Sequence, residues 1–161
     1  KSDEGFHVWG NDNTVRWGQG GMLDDIDDTT FGHDGDEGGG SKLNLDIHGD
    51  DNKVAGVQRN GSANAWSGHT ATVYIYADEN EVWVNQNTDG VKTFTMTSRT
   101  DENSVNVQQT GYAAHTGTIT LTGTSPTTLN LTQQSNTAQS YSLTQNCVTV
   151  GGCSVSVTQG N

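Results

Sequence analysis

Proline is nearly missing from this chain, with one residue in 161 beside 21 glycines. Cations are scarce too: 7 Lys and Arg face 19 Asp and Glu, for a formal charge of −12. Nucleic-acid binding is excluded on that count, because phosphate contacts need Lys and Arg. The charge favours solubility and self-repulsion, or attraction to cations. No stretch approaches the roughly 20 apolar residues of a membrane helix, so insertion into a membrane is not expected. Hydrophobic residues make up only 30%, below the share of an ordinary globular core. No segment carries an apolar stripe of helical period, and helices are not expected. Two cysteines are too few for a zinc site. Cys147 and Cys153 flank a Val150-Gly151-Gly152 turn, and they read better as a hairpin disulfide in an oxidising place than as a cytosolic pair. No leader opens the chain, which is therefore either mature or cytosolic, and with the disulfide a secreted protein is expected.

What the chain does have is strict alternation, which acid-rich disorder does not produce. A seven-residue frame recurs at 13–19 (NTVRWGQ), 52–58 (NKVAGVQ), 80–86 (NEVWVNQ), 103–109 (NSVNVQQ), 127–133 (TTLNLTQ) and 153–159 (CSVSVTQ). Position one is polar, three and usually five are apolar, and seven is Gln. Strand side chains alternate faces, so these four positions share one side. Each frame has an alternating partner upstream, whose third and fifth residues are Phe6/Val8, Leu45/Ile47, Val73/Ile75, Phe94/Met96, Ile119/Leu121 and Tyr141/Leu143. Tight acidic turns such as Asp50-Asp51 and Asp78-Glu79 join the two.

A lone hairpin is unstable in water, but stacked copies share a core. The expected fold is all-β: a β-solenoid of six strand-turn-strand rungs, with two parallel sheets facing a narrow core in an amyloid-like stack. It divides into an N-terminal rung (1–19), an acidic Gly-rich connection (20–42) and a five-rung region (43–161). Buried amides must be paired, and identical neighbours supply the pairing. Amide ladders are therefore expected from Asn13, Asn52, Asn80 and Asn103, and from Gln19, Gln58, Gln86, Gln109, Gln133 and Gln159. Gln139 and Gln145, which bracket the sixth upstream strand, are expected to take part.

The Asn-x-φ-x-φ-x-Gln frame resembles the curlin repeat of bacterial curli fibres. Residues 103–109 followed by Thr110-Gly111, and 52–58 followed by Arg59-Asn60-Gly61, carry the likeness best, and 139–145 resembles a first strand that keeps its terminal Gln. The likeness covers 43–161, with a partial copy at 4–19. It implies a subunit exported through an outer-membrane secretion channel that polymerises into the fibres of a biofilm matrix, with a nucleator subunit as a further partner. Five first strands depart from the repeat by lacking the terminal Gln, and the last two frames begin with Thr127 and Cys153 in place of Asn.

Stacks without caps leave unpaired edges, which usually carry charge, proline or a cover. The last frame has neither charge nor cover, and its inward Val155 and Val157 make it an assembly edge for another copy of the chain. Head-to-tail polymerisation is the expected outcome. Two other readings compete. Outward Thr93/Thr95/Thr97, Thr118/Thr120/Thr122 and Ser140/Ser142/Thr144 resemble the flat Thr arrays of ice-binding β-solenoids. Trp66, Trp83, Tyr74 and Tyr76 would serve a monomeric adhesin that binds glycans. No catalytic constellation is visible, so an enzyme is not expected. No cofactor is expected either. Calcium at the acidic turns (Asp24-Asp25-Ile26-Asp27-Asp28, His33–Glu37, Asp50–Asn52, Asp78–Asn80) is outweighed by turn chemistry, because no segment has the spacing of a calcium loop. His7, His33, His48, His69 and His115 follow no ligand spacing and read as surface or turn residues.

Overall fold

The structure, a computed structural model, describes residues 7–19, 41–59 and 68–160. Among them there is no helix. Nine strands are formed: β1 (Thr14–Gln19), β2 (Lys53–Arg59), β3 (Glu81–Asn87), β4 (Lys92–Thr95), β5 (Ser104–Thr110), β6 (His115–Gly123), β7 (Thr127–Gln134), β8 (Gln139–Cys147) and β9 (Cys153–Gly160). The first sheet has six strands in the order β1-β2-β3-β5-β7-β9, and the facing sheet has three, β4-β6-β8. All pairings are parallel. The protein is a parallel β-solenoid. The six strands of the first sheet face only three regular strands, and bridges Lys42↔Thr70 and Thr70↔Thr93 continue the facing pairing upstream.

Alternation builds the core. Val54, Val82, Val84, Val105, Val107, Leu129 and Leu131 of the first sheet meet Leu45, Ile47, Val73, Ile75, Phe94, Met96, Ile119 and Leu121 of the facing segments, all buried. Burying one such side chain contributes about 1.5–3 kcal/mol. At the last rung Tyr141, Leu143, Val155 and Val157 are only partly buried. Size is matched along columns as well. Trp17 in β1 lies against Gly56 in β2, where an added Cβ would stand 2.3 Å from the indole.

The seven-residue frames of the first sheet stack without a slip, with Gln19↔Gln58, Gln58↔Gln86, Gln86↔Gln109, Gln109↔Gln133 and Gln133↔Gln159 aligned. The facing sheet departs from the sequence-based alignment. Phe94 N donates to Thr70 O and Thr72 N donates to Phe94 O, so Phe94 stands beside Ala71 rather than Val73. Phe94 then pairs with Gly117, and Gly117 with Tyr141. Leu143 pairs with Ile119, and Gln145 with Leu121. Each correction is a two-residue shift. Such a shift keeps every side chain on its face, so alternation alone cannot detect it. At Gly117 an added Cβ would stand 3.2 Å from Leu131 of the opposite sheet and 3.5 Å from the Gln109 amide, so this register sets the residue without a side chain where the core and the Gln column come close.

The tight turns form a column of their own. Asp12, Asp51, Glu79 and Glu102 each have φ between 53° and 59°, just before Asn13, Asn52, Asn80 and Asn103. Backbone bonds link them, Asp51 N to Asn11 O, Glu79 N to Asp50 O and Glu102 N to Asp78 O, at 3.0, 3.0 and 3.1 Å. Carboxylates complete the link: Asn11 N donates to Asp50 Oδ1 (2.6 Å), Asp50 N to Asp78 Oδ1 (2.8 Å) and Asp78 N to Asp101 Oδ1 (3.0 Å). These acidic residues are spent on holding turns together.

Candidate functional site

Two buried amide columns flank the core. Gln58 Nε2 donates to Gln86 Oε1, Gln86 to Gln109, Gln109 to Gln133 and Gln133 to Gln159, at 2.8, 2.9, 2.8 and 2.8 Å. Each Nε2 uses its second hydrogen on a facing carbonyl: Lys42, Thr70, Thr93, Thr116 and, for Gln159, Ser140. The amides thus bond along the stack and also tie the two sheets together. Donation runs one way, from β2 toward β9. Near the other end the Trp17 indole N–H donates to Gln58 Oε1 at 3.2 Å. Gln19 stands in this column by backbone register.

The Asn column runs the opposite way. Asn52 N and Nδ2 donate to Asn13 Oδ1, those of Asn80 to Asn52, and those of Asn103 to Asn80, all at 2.9–3.1 Å. Thr127 N continues it to Asn103 Oδ1 at 2.8 Å. There the column stops, and the buried Thr127 Oγ1 has no hydrogen-bond partner. Cys153 takes the next place. It forms a disulfide with Cys147, a covalent pin at the rung where the amide pairing runs out. Closing so short a loop contributes about 2 kcal/mol in the chain-entropy picture.

Gln139 and Gln145 stand outside both columns. Gln145 occupies an otherwise mostly apolar column beside Leu121. Gln139 pairs in register with His115, and with its amide turned it donates to Gln159 O (2.9 Å) and accepts from Gly160 N (3.1 Å). Two residues of one sequence type therefore serve different structural ends.

A third polar column was missed from sequence. His69, Lys92 and His115, all fully buried, lie along one side of the facing sheet. Lys92 Nζ donates to the carbonyls of Asp89, Gly90, Gly111 and Ala113 at 2.6, 2.9, 2.7 and 2.8 Å. Burial pushes its pKa down to about 8, which leaves an ammonium at neutral pH. His69 Nδ1 accepts from Lys92 N (3.1 Å) while its Nε2 lies 2.8 Å from Arg59 O. His115 Nε2 lies 2.7 Å from Thr110 O. Burial lowers both imidazole pKa values below the ordinary 6.5. Two histidines read as surface residues are thus neutral core residues. Their isolation in the sequence hid this, because no repeated frame marks their column.

On the outer face the register gathers hydroxyls more closely than the sequence frames do. Thr70, Thr93, Thr116 and Ser140 share one column, and neighbouring pairings align Thr72, Thr95, Thr118 and Ser142. Trp83 and Tyr76 are exposed, on opposite sheets, and Tyr74 is half-buried. Trp66, His33, the acidic runs within 20–40 and Phe6 lie outside the described residues. Comparison with known protein families, curated proteins and solved structures finds no match for this chain.

Proposed function

We propose that this chain is a structural subunit of an extracellular, curli-like fibre that grows by continuing its own stack head to tail. The observation that carries the reading is the one-way Gln column ending on Gln159. Its amide has one hydrogen on Ser140 O and a second directed along the stack, where each earlier Gln meets its neighbour. Among the described residues β9 pairs only with β7, and β8 only with β6. The occupant that fits this edge is β1 of a second copy: its frame at 13–19 has the same polarity and places Gln19 in the same column. Val155 and Val157, half-buried, would gain the burial that upstream valines have. The disulfide is compatible with an oxidising, extracellular setting. A nucleator subunit and a secretion channel belong to the same proposal.

Negative-stain microscopy and fibre diffraction of purified protein test it. Unbranched fibres with a reflection at about 4.7–4.8 Å along the axis are expected. Deleting residues 1–19, or introducing Val155→Lys with Val157→Lys, should leave soluble monomers that keep β circular dichroism. A wild type that stays monomeric at high concentration, or normal fibres from the truncation, overturns the proposal.

The aligned hydroxyl columns favour a second reading, in which the outer face of the facing sheet orders water and binds ice. Strands about 4.7–4.9 Å apart give such columns a regular spacing. Thermal hysteresis of the monomeric fraction, absent after Thr95→Lys, is its expected signature; no hysteresis in the wild type removes it.

A further inference from the structure

The outer face of the facing segments carries a cluster that neither the amide columns nor the turns use. Asp46 and His48 are two apart, and their side chains meet on one side of the segment. His7 N donates to Leu45 O at 3.4 Å, which brings the His7 side chain alongside Asp46. The imidazole nitrogens of His7 and His48 and a carboxylate oxygen of Asp46 all lie within 4.8 Å of one another. His48 Nε2 is 2.6 Å from Asp46 Oδ1, and His7 Nδ1 is 3.7 Å from the same oxygen.

Three further observations set this cluster apart from a chance surface pair. Asp46 Oδ1 and His48 Nε2 are both shielded from solvent, yet neither makes a hydrogen bond of acceptable geometry. They stand 2.6 Å apart as an ion pair, and a cation bound beside them would take both as ligands. The other carboxylate oxygen, Oδ2, accepts the Tyr76 hydroxyl at 2.5 Å, which fixes the carboxylate in the way that outer partners orient metal ligands. The His48 ring is held by Trp9, stacked at 4.2 Å, and by the edge of Tyr76 at 4.7 Å.

We propose that His7, Asp46 and His48 form a zinc site, with water in the fourth position. Two imidazoles and a carboxylate are a borderline-soft donor set that suits zinc and does not suit calcium or magnesium, which take oxygen ligands. Tetrahedral zinc with bonds of about 2.0–2.2 Å holds its ligand atoms about 3.3 Å apart. The 2.6 Å contact would open and the 3.7 Å contact would close toward that value. The site joins the first rung to the second across the connection between them, so zinc would clamp the N-terminal rung onto the stack.

The test uses the full chain, stripped of metal by a chelator and kept as soluble monomer. Calorimetric titration with ZnCl₂ should give one site per chain, and zinc should raise the melting temperature reversibly on chelation. Cobalt substituted for zinc should give the intense visible absorption of a tetrahedral site. Asp46→Asn and His48→Gln should each weaken zinc at least tenfold, and His33→Ala should leave it unchanged. Tyr76→Phe should weaken it by about 10–100-fold, the usual cost of an outer partner. The proposal fails if the wild type takes up no zinc at 100-fold excess of metal over protein. It also fails if His48→Gln binds as tightly as the wild type, or if His33→Ala abolishes binding. Should a variant misfold by circular dichroism, the wild-type cobalt spectrum decides alone: no tetrahedral absorption overturns the site.

Discussion

The two sheets of this solenoid are built on different rules. In the first, six strands repeat one frame, and like residues mostly stand on like, Gln on Gln above all, with exceptions at Trp17 on Gly56 and at Thr127 and Cys153 in the Asn column. In the facing sheet, columns hold unlike residues, such as Phe94, Gly117 and Tyr141, or His69, Lys92 and His115. The first sheet is specified by pairing, since an amide displaced by one position would lose its partner. The second is specified by volume and by individual polar contacts. Identity of neighbours gives register; complementarity of neighbours gives fit.

The largest expected effect strikes the paired sheet. Gln109→Met, close in volume, strands the Gln86 donor, the Gln133 acceptor and the Thr93 carbonyl; at about 1–3 kcal/mol for each buried unsatisfied group, the loss should reach about 3 kcal/mol or more in urea unfolding. The contrast collapses if that substitution costs no more than Met96→Leu in the facing core, a volume-conserving swap expected below about 1.5 kcal/mol.

Lys92 sharpens the comparison, as the point where the facing sheet borrows the rule of the first. Lys92→Met removes the donor from four carbonyls and should cost about 2–3 kcal/mol by the same measurement, whereas exposed Lys53→Met should fall within about 0.5 kcal/mol.

Acid separates the sheets next. The folded pKa values of His69 and His115 lie below 6.5 because burial disfavours the charged ring. Their contribution is complete above 6.5 and is lost as pH falls through the lower folded values. Melting temperature should therefore hold steady down to about pH 6.5 and then decline. The variant His69→Asn with His115→Asn should flatten that decline, because the paired columns of the first sheet hold amides that do not titrate.

The most local effect expected is at Gly56. Gly56→Ala crowds the Trp17 ring and should cost about 1–3 kcal/mol, shared between the first two rungs. The more distant Gln133 to Gln159 bond should not register it, as amide exchange at β9 would report.

This asymmetry also explains what could be read from sequence. The period of two, the Gln frame and the pairing of each frame with an upstream strand are local patterns, and Gln58, Gln86, Gln109 and Gln133 stand in one column. The register of the facing sheet is not local. Shifts of two residues preserve the alternation, so only contacts with the opposite sheet, such as the close approach of Gly117 to Leu131 and Gln109, can distinguish them. Gln145 was misplaced for that reason. Lys92 escaped notice because a lysine in an alternating strand looks like a solvated residue, and its cage is made of backbone carbonyls that carry no sequence mark. The cluster of His7, Asp46 and His48 joins residues 39 and 41 positions apart, a proximity that exists only once the first rung is laid on the second.

The column of turn carboxylates has a kinetic consequence. Asn11, Asp50 and Asp78 each give their backbone N–H to an Asp of the following rung, so no turn is finished until its successor has arrived. Unwinding from β9 would reopen the turns in reverse order. Hydrogen exchange should then be slowest at Asn11 and progressively faster at Asp50 and Asp78, a clock written along one edge of the molecule.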